Sequence, residues 1–375
     1  MNPFDVIVVG LGAMGGAAAD HLAQRGQRVL GLDRYRPPHT LGSSHGRTRI
    51  IREAYFEHPA YVPLVQRAYE NWSTLERDTG QRLFLQTGGL MIGPPQGVLV
   101  QGATASAKQH HLMYETLSAE DIRRRFPAFH PEEEMVAVWE PRAGVLFVEK
   151  CIEAQLQRAH AHGATLRYEE PVTAWRVQGD GVEVSTPQGK YQAQRLVFSA
   201  GPWLDALVPA LRLPLTVERQ VQFWFKPRAH AQWFSAQNFP VFIWEYEPDR
   251  FFYGFPDLGD GVKAAFHHEG QLTTVETARR DVESHEAHAL HAVLARRLPQ
   301  AAGERLDSAA CLYTNTPDAH FLIDFHPDHP HVLIASPCSG HGFKFASAIG
   351  EVLADLLIEG RSRFDLGLFR RARLL

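Results

Sequence analysis

The stretch FDVIVVGLGAMGG, residues 4–16, decides the fold of this 375-residue chain. Its first six residues are a short apolar run rich in β-branched side chains, which predicts a buried strand. Three glycines in a G-x-G-x-x-G pattern follow, at Gly10, Gly12 and Gly15. The helical pattern AMGGAAADHLAQRG comes next, and Gly26 can end it. Strand, tight turn and helix in this order predict a Rossmann-type unit whose glycines let the backbone approach a pyrophosphate.

An acidic residue at the expected distance supports a dinucleotide site. The predicted second strand, QRVLGLD, ends on Asp33, which lies 23 positions after Gly10. In dinucleotide-binding folds an acid about 20 residues beyond the motif hydrogen-bonds a ribose hydroxyl. The motif does not separate FAD from NAD. A glycine-rich turn in an α/β domain that binds no nucleotide is the other interpretation.

The composition excludes several classes of protein. Lys and Arg number 38 against 42 Asp and Glu, and no block of like charges interrupts the chain, so nucleic acid and anionic membranes are poor partners. The three cysteines show no CxxC spacing, so neither a disulfide framework nor a metal site is expected. A reducing, cytoplasmic setting fits them best. The N-terminus lacks both a basic region and a long apolar run, so we expect neither a signal peptide nor a membrane span.

Signals typical of a nucleotide-binding domain recur at the start, middle and end of the chain. The stretch GATLRYEEPVTAWRVQGDGVEVSTPQGKYQAQRLVFSAGPW predicts a β-meander that returns to a central sheet, and HVLIASP predicts another buried strand. SGHGFKFASAIGEVLADLLIEG predicts a glycine loop and an amphipathic helix ending at Gly360. Between them, VERQVQFWF, FPVFIWEYEPDRFFYGFP and GVKAAFHHEG predict a second, sheet-based domain. We assign residues 1–83, 145–215 and 312–375 to the nucleotide-binding domain, and residues 84–144 and 216–311 to the substrate domain.

Several stretches together resemble the family of monomeric sarcosine oxidase and N-methyltryptophan oxidase, which are flavoproteins with covalently attached FAD. The stretches are FDVIVVGLGAMG, PPHTLGSSHGRTRIIREAY, FFYGFP, GVKAAFH, CLYTNTPDAHFLIDFHP and SGHGFKFASAIGEVLADL. The resemblance implies an α/β fold of glutathione-reductase and D-amino-acid-oxidase type, in which a Rossmann-type FAD-binding domain is interleaved with a mainly antiparallel substrate domain. It also implies a monomeric enzyme that oxidises the C–N bond of a small N-methyl amino acid such as sarcosine. Hydride would pass to FAD, dioxygen would become hydrogen peroxide, and the imine would hydrolyse to amine and formaldehyde.

The resemblance assigns one cysteine to the flavin. In that family the cysteine before a Tyr-Thr pair bonds its sulfur to the C8 methyl carbon of the flavin, and Cys311 occupies this place. Cys151 and Cys338 have no such surroundings, so we expect them to pack in the core.

Positive charge is the second feature that the resemblance brings to the site. It places Arg52 and Lys344 on the substrate carboxylate, where a planar guanidinium can bond both oxygens, and Arg49 beside the flavin ring. It places Lys263 over the flavin, where its charge promotes electron transfer to dioxygen, and His267 beside the substrate amine. Cations near a bound ammonium lower its pKa and stabilise reduced flavin.

Further residues complete the predicted site. The even separation of Lys263 and His267 puts both on one face of a strand. Tyr253 and Tyr313 would line the substrate pocket, although either could be an ordinary core aromatic. The resemblance assigns these other residues to the FAD site: Ser43, His45, Thr48, Val172, Gly340, His341 and Gly342. Without the resemblance, the three arginines of SSHGRTRIIR would be typical of a solvated face.

Departures from the family pattern bear on the pocket. Ser44 stands where the family often has histidine, Arg47 where it has an acid, and Pro337-Cys338 where Gly or Leu is common. The aromatic stretch 244–246, whose counterpart helps to shape the pocket, carries an insertion of about one residue. The alternatives are therefore an oxidase of a bulkier N-methyl, cyclic secondary or D-amino acid, a nicotinamide-dependent dehydrogenase, and a non-catalytic dinucleotide-binding protein.

Overall fold

The computed structural model describes residues 4–375, so the first three residues of the predicted nucleotide-binding domain lie outside the described part. Within it, eight α-helices connect twenty strands. The helices are α1 (Ala13–Gln24), α2 (Val62–Thr79), α3 (Val98–Gln109), α4 (Ala119–Arg125), α5 (Val148–Ala161), α6 (Leu204–Leu207), α7 (His288–Arg297) and α8 (Ala346–Glu359). The first ten strands are β1 (Phe4–Val9), β2 (Val29–Leu32), β3 (Thr48–Ile51), β4 (Phe84–Gln86), β5 (Gly89–Gly93), β6 (Glu115–Ser118), β7 (Val136–Glu140), β8 (Gly144–Phe147), β9 (Thr165–Arg167) and β10 (Ala174–Gln178). The others are β11 (Gly181–Thr186), β12 (Gly189–Phe198), β13 (Thr216–Phe225), β14 (Val241–Glu247), β15 (Arg250–Phe255), β16 (Val262–His267), β17 (Gln271–Thr273), β18 (Arg305–Asn315), β19 (Leu322–His326) and β20 (His329–Ser336).

A parallel sheet forms the nucleotide-binding half of the molecule. Its strands lie in the order β20-β12-β1-β2-β9, all parallel, and β19 adds an antiparallel edge beside β20. The predicted meander is β10, β11 and the first half of β12, and the second half of β12 enters the parallel sheet. Helix α1 packs against α5 and α8. The β1 run is buried because neighbouring layers cover it on both faces.

A nine-stranded sheet forms the other half. Its order is β17-β13-β16-β15-β14-β5-β7-β6, with β18 also paired to β13, and β14 with β5 is its parallel pair. An aromatic core that includes Phe129, Phe242 and Trp244 packs against it. A small third sheet, β3-β8-β4, completes the pairing. The predicted fold class, a Rossmann-type domain interleaved with a mainly antiparallel sheet, is confirmed. The domain division stays a prediction, and its boundary between residues 311 and 312 falls inside β18.

The last helix differs from its prediction. Gly360, with φ +72°, ends α8 as expected, but the helix is buried on nearly every side rather than amphipathic. Its two acids, Glu351 and Asp355, are buried because Arg67 and Arg25 pair with them, each at 2.6 Å. Gly350 lies so close to α1 that an added Cβ would approach the backbone of Ala17 to 2.5 Å. A central helix between two others therefore holds the glycine loop and the C-terminal loop together.

None of the helices in the described range 4–375 combines the length and the apolar character needed to cross a membrane.

Candidate active site

The glycine loop forms a cradle at the end of β1. Gly10 has φ +90°, and an added Cβ would lie 2.6 Å from the carbonyl oxygen of Ser199. At Gly15 an added Cβ would lie 1.7 Å from the carbonyl oxygen of Gly10, so this glycine permits close packing of helix on strand. Gly12 differs, because an added Cβ would meet nothing within 4 Å. The open side of the loop at Gly12 is therefore free for a bound group.

Asp33 lies beside this cradle. Its carboxylate accepts hydrogen bonds from the N–H groups of Leu11, at 2.7 Å, and Tyr35, at 2.8 Å. Burial raises the pKa of Asp33, while the two backbone donors oppose that shift. The acid predicted to meet a ribose also holds the loop that carries the glycines.

One cavity runs from the glycine loop to the second sheet. Its lining includes these predicted residues: Gly10, Gly12, Asp33, Ser43, Arg49, Arg52, Val172, Tyr253, His267, Tyr313, Gly340, His341, Gly342 and Lys344. Five other predicted residues lie outside that lining: Gly15, His45, Thr48, Lys263 and Cys311. The structure thus brings the predicted residues around a single long cavity, with five of them in its supporting wall.

Buried polar atoms on one side of the cavity lack partners. Within the described residues, Ser43 Oγ and His45 Nε2 are buried and make no hydrogen bond. Arg49 donates to the carbonyl oxygens of Ser43 and Thr48, each at 2.9 Å, and so lies across the same loop. Burial, followed by Arg49 and Lys263, lowers the pKa of His45 to about 3. Because native proteins rarely bury unpaired polar atoms, these atoms and the glycine cradle fit a bound dinucleotide such as FAD.

Two buried cations face the far end of the cavity. Arg52 donates to both carboxylate oxygens of Glu57, at 2.7 and 2.8 Å, and its guanidinium lies 4.3 Å from the ring centre of Tyr55. Lys344 Nζ donates to the carbonyl oxygen of His341 at 2.8 Å and to the Tyr55 hydroxyl at 3.3 Å. Burial, followed by Arg52, lowers the pKa of Lys344 to about 7. This end of the cavity can hold a ligand carboxylate that replaces Glu57 on Arg52.

Lys344 does not lie in the helix itself. It belongs to a short 3-10 turn, Phe343–Phe345, which precedes α8. Gly342 allows this turn, since an added Cβ would lie 1.8 Å from the carbonyl oxygen of Pro337.

Aromatic and imidazole side chains close the cavity beside these cations. His267 Nδ1 lies 3.3 Å from the hydroxyl of Tyr313. Gly340, with φ +74°, allows the contact, because an added Cβ would lie 2.6 Å from the Tyr313 ring. Burial, followed by His268, lowers the pKa of His267 well below its ordinary value, so the imidazole is neutral and can accept a proton. Burial raises the pKa of Tyr253 to about 12.

Lys263 lies just behind the cavity wall. Its ammonium donates to the carbonyl oxygens of Gly46, at 2.7 Å, and Thr48, at 2.9 Å, and to the Thr48 hydroxyl at 3.1 Å. Burial, followed by Arg49, lowers the pKa of Lys263 well below its ordinary value. Three oxygens therefore fix the position of this ammonium.

Cys311 is buried in β18, next to three lining residues, Leu312, Tyr313 and Thr314. Its sulfur accepts a hydrogen bond from Gln222 Nε2 at 3.1 Å. Gln222 in turn touches Gly46, where an added Cβ would lie 2.4 Å from Gln222 Oε1. The glutamine side chain thus lies between the loop and the sulfur.

Three expectations about the wall need correction or refinement. Cys151 is buried as predicted, but Cys338 lines the cavity and is partly exposed, because Pro337 turns the chain there. Trp244 packs in the core and donates to the sulfur of Met135, so Ile243, its neighbour, represents that stretch in the cavity. Arg47 pairs with Asp260 and Asp307, so its charge is balanced outside the cavity.

Sequence reasoning missed several residues that support the site. They are Tyr55, Glu57, Glu140, Glu149 and Gln222. Tyr55 and Glu57 follow Arg52 closely along the chain, and that proximity was the available signal. The other three come from distant segments, and no local pattern marks them.

Comparison with known proteins agrees with this architecture. Residues 5–356 match the family model described as DAO: FAD dependent oxidoreductase. The chain is 45% identical to monomeric sarcosine oxidase from Streptomyces avermitilis, covering 100% of this chain and 99% of that protein. It is 37% identical to N-methyl-L-tryptophan oxidase from Yersinia pestis, covering 99% of each. The solved structure of NikD, an unusual amino acid oxidase essential for nikkomycin biosynthesis, superposes with a TM-score of 0.85 at 26% identity, covering 99% of this chain and 98% of that one.

The glycine cradle, the unpartnered polar atoms beside it and a family match over most of the sequence lead to one conclusion. The chain belongs to the DAO family of FAD dependent oxidoreductases.

Proposed function

We propose that this protein is an FAD-dependent oxidase of a small N-methyl amino acid such as sarcosine. The observation that carries the proposal is the pair of buried cations, Arg52 and Lys344, on either side of the Tyr55 ring in a cavity continuous with the glycine loop. Two buried cations suit a small anionic substrate group, and their charge favours the unprotonated form of a bound amine. The relatives named sarcosine oxidase and N-methyl-L-tryptophan oxidase support the same substrate class.

The residues at this end of the cavity have complementary tasks. Arg52 would exchange its bonds to Glu57 for bonds to the substrate carboxylate, with Lys344 as second partner. His267, hydrogen-bonded to Tyr313, would orient the substrate amine. Tyr253 and Arg49 would close the wall towards the flavin. Each task is one of binding and orientation.

The cofactor supplies the redox chemistry. Bound FAD provides the acceptor for hydride from the substrate and the electrons for dioxygen, so the products are hydrogen peroxide and an imine that hydrolyses to amine and formaldehyde. Cys311 would carry the FAD through a bond between its sulfur and the C8 methyl carbon, and Lys263 would supply the positive charge that favours the reaction with dioxygen. Proximity supports this pairing, since the Cys311 side chain contributes to the pKa of Lys263. We further propose a cytoplasmic monomer.

Substrate size is open at one wall. Cys338 and Pro337 line the cavity together with Ile243 and Tyr253. A small thiol at position 338 leaves room for a larger side chain. An oxidase of bulkier N-methyl, cyclic secondary or D-amino acids on the same fold is therefore the second candidate.

The test begins with the visible spectrum of the purified protein and acid precipitation. Yellow colour that stays with the pellet supports a covalent flavin, whereas colour released into the supernatant contradicts the Cys311 bond but keeps the flavoprotein. Peroxide release is then measured with sarcosine, N-methyltryptophan, proline, pipecolate and D-alanine. Preference for sarcosine supports the proposal, preference for a larger or cyclic substrate favours the second candidate, and no turnover across a broad panel contradicts both.

A further inference from the structure

The segment between Gly46 and Ala54 carries the functional groups of one side of the cavity. Its first part supplies the carbonyl oxygens that hold Lys263, and its last part carries Arg52. Its middle is β3, which pairs antiparallel with β8 through Thr48 opposite Phe147 and Ile51 opposite Gly144. The ladder fixes the middle of the segment, while both ends extend beyond it.

A buried carboxylate holds the later end. Glu140, the last residue of β7, is 1% exposed. One of its oxygens accepts the N–H of Glu53 at 2.7 Å, and the other accepts the N–H of Ala54 at 2.8 Å. The carbonyl oxygen of Ala54 then accepts a hydrogen bond from Arg52 at 2.8 Å. The carboxylate is thus two hydrogen bonds away from the guanidinium.

A second carboxylate holds the earlier end in a similar way. Glu149, in the first turn of α5, accepts the N–H groups of Gly46 at 2.9 Å and Arg47 at 3.1 Å through a single oxygen. Gly46 is the residue whose carbonyl oxygen accepts the shortest hydrogen bond from Lys263. Glu149 also contributes to the pKa of Lys263, so its charge reaches that ammonium.

The two carboxylates act at opposite ends because the strands are antiparallel. Glu140 precedes β8 and Glu149 follows it, while the peptides that they hold follow and precede β3. We propose that Glu140 and Glu149 are positioning residues, Glu140 for the carboxylate-binding guanidinium of Arg52 and Glu149 for the ammonium of Lys263. This inference rests on the proposed function, because it assigns each carboxylate to one half of that reaction.

The consequence is a separable pair of effects. Loss of the Glu140 charge frees the peptide that orients Arg52, so binding of a substrate carboxylate weakens. Loss of the Glu149 charge frees the carbonyl group that orients Lys263, so reduced enzyme reacts more slowly with dioxygen. A purely structural role would lower both properties together.

The experiment compares wild type with Glu140→Gln, Glu149→Gln and the control Glu76→Gln, all as holoenzymes. Glu76 is a matched control because its carboxylate also accepts two backbone N–H groups, from Leu83 at 2.7 Å and Phe84 at 3.0 Å, and none of these residues lines the cavity. Acetate is the probe for carboxylate binding, and its Kd is read from the change in the flavin spectrum. Dithionite-reduced enzyme mixed with dioxygen gives the reoxidation rate without need of a substrate. The pH is held about one unit above 7, because burial raises the pKa of Glu140 to about 7.

We expect crossed results. Glu140→Gln raises the Kd for acetate roughly tenfold to a hundredfold, since a shift of about 1 Å can cost about a hundredfold, and leaves reoxidation within about twofold. Glu149→Gln slows reoxidation by a similar factor and leaves the Kd for acetate nearly unchanged. Amide hydrogen exchange adds a direct readout, with faster exchange at Glu53 and Ala54 in the first variant and at Gly46 and Arg47 in the second. Glu76→Gln changes none of these.

Equal losses of both properties in both variants, or no difference from Glu76→Gln, overturn the inference. If Glu140→Gln does not fold, Glu140→Asp keeps the charge but moves the oxygens away from the two N–H groups, and the same weakening of acetate binding is expected. If wild type neither binds acetate nor is reduced by any amino acid of the panel, the proposed function fails. In that case the exchange rates alone decide whether the two carboxylates hold the segment.

Discussion

The side-chain amide of Gln222 donates a hydrogen bond to the sulfur of Cys311 across 3.1 Å. The two residues lie on neighbouring strands, β13 and β18, which pair along nearly their whole length. The sheet therefore fixes the sulfur, and the amide gives it a donor beside the loop at Gly46. A sulfur held in this way suits a covalent attachment that must form at one carbon of a ligand.

Cys311→Ala is expected to leave FAD dissociable. Without the sulfur no bond to the C8 methyl carbon can form, so the colour should move from the pellet to the supernatant on acid precipitation. Cys151→Ala is the control, because Cys151 is buried in the core and lies outside the cavity lining. Retention of the colour in the pellet by the Cys311 variant would refute the assignment.

The two glycines of the cradle should respond differently to alanine. Gly12→Ala should keep the free energy of unfolding of the apoprotein within about 0.5 kcal/mol, since the added methyl meets no protein atom, yet FAD content should fall because the methyl enters the cavity. Gly15→Ala should lower the stability by about 1–3 kcal/mol, because the methyl collides with the carbonyl group of Gly10. Denaturant unfolding and the flavin-to-protein absorbance ratio measure the two effects. Full FAD content in the Gly12 variant would contradict the prediction.

Lys263→Met should slow the reaction of reduced enzyme with dioxygen far more than it slows anaerobic reduction by substrate. The methionine keeps the length of the side chain but removes the charge that lies over the aromatic rings of Phe255 and Trp224. Stopped-flow spectroscopy separates the two half-reactions, and the reductive half serves as the internal control. The opposite pattern would exclude the proposed role of Lys263 in the reaction with dioxygen.

Replacement of Arg52 by methionine should weaken binding of acetate by roughly 1.5–3 kcal/mol, the usual value of a hydrogen bond to a charged group. It also leaves Glu57 buried without its guanidinium partner, so some loss of stability accompanies the loss of affinity. The double variant Arg52→Met/Glu57→Gln removes that unpaired charge and serves as the control. Unchanged affinity in both variants would count against a carboxylate site at Arg52.

Affinity for acetate should fall as the pH rises above about 7. Burial and Arg52 lower the pKa of Lys344 to about 7, so above that pH the amine loses the charge that attracts a carboxylate. The Kd should then rise towards about tenfold per pH unit, and Lys344→Met should abolish this part of the profile. The same shift predicts that Lys344 destabilises the fold most below about pH 7, and that this penalty disappears as the pH approaches 10.5, its ordinary value. A flat profile in wild type would contradict the assignment.

The sequence carries the parts of the site that depend on neighbours along the chain. The glycine motif, Asp33 and the even spacing of Lys263 and His267 follow from local geometry, so the loop and the strands β1, β2 and β16 were predictable. The supporting contacts were not, because Glu140 and Glu53 are 87 residues apart and meet through the pairing of distant segments. Burial of α8 was missed for the same reason, since Arg25 and Arg67 come from other helices.

The order of strands in the parallel sheet has a consequence for synthesis of the protein. Strand β1 leaves the ribosome first, but its partner β12 follows about 190 residues later, and β20 and α8 come near the end. Until then β1 presents an unpaired edge, which is a typical starting point for association between chains. A nascent or truncated chain that lacks α8 would be unable to complete the pocket, so folding assistance or an early supply of FAD should improve the yield of active protein more than a slower rate of unfolding would.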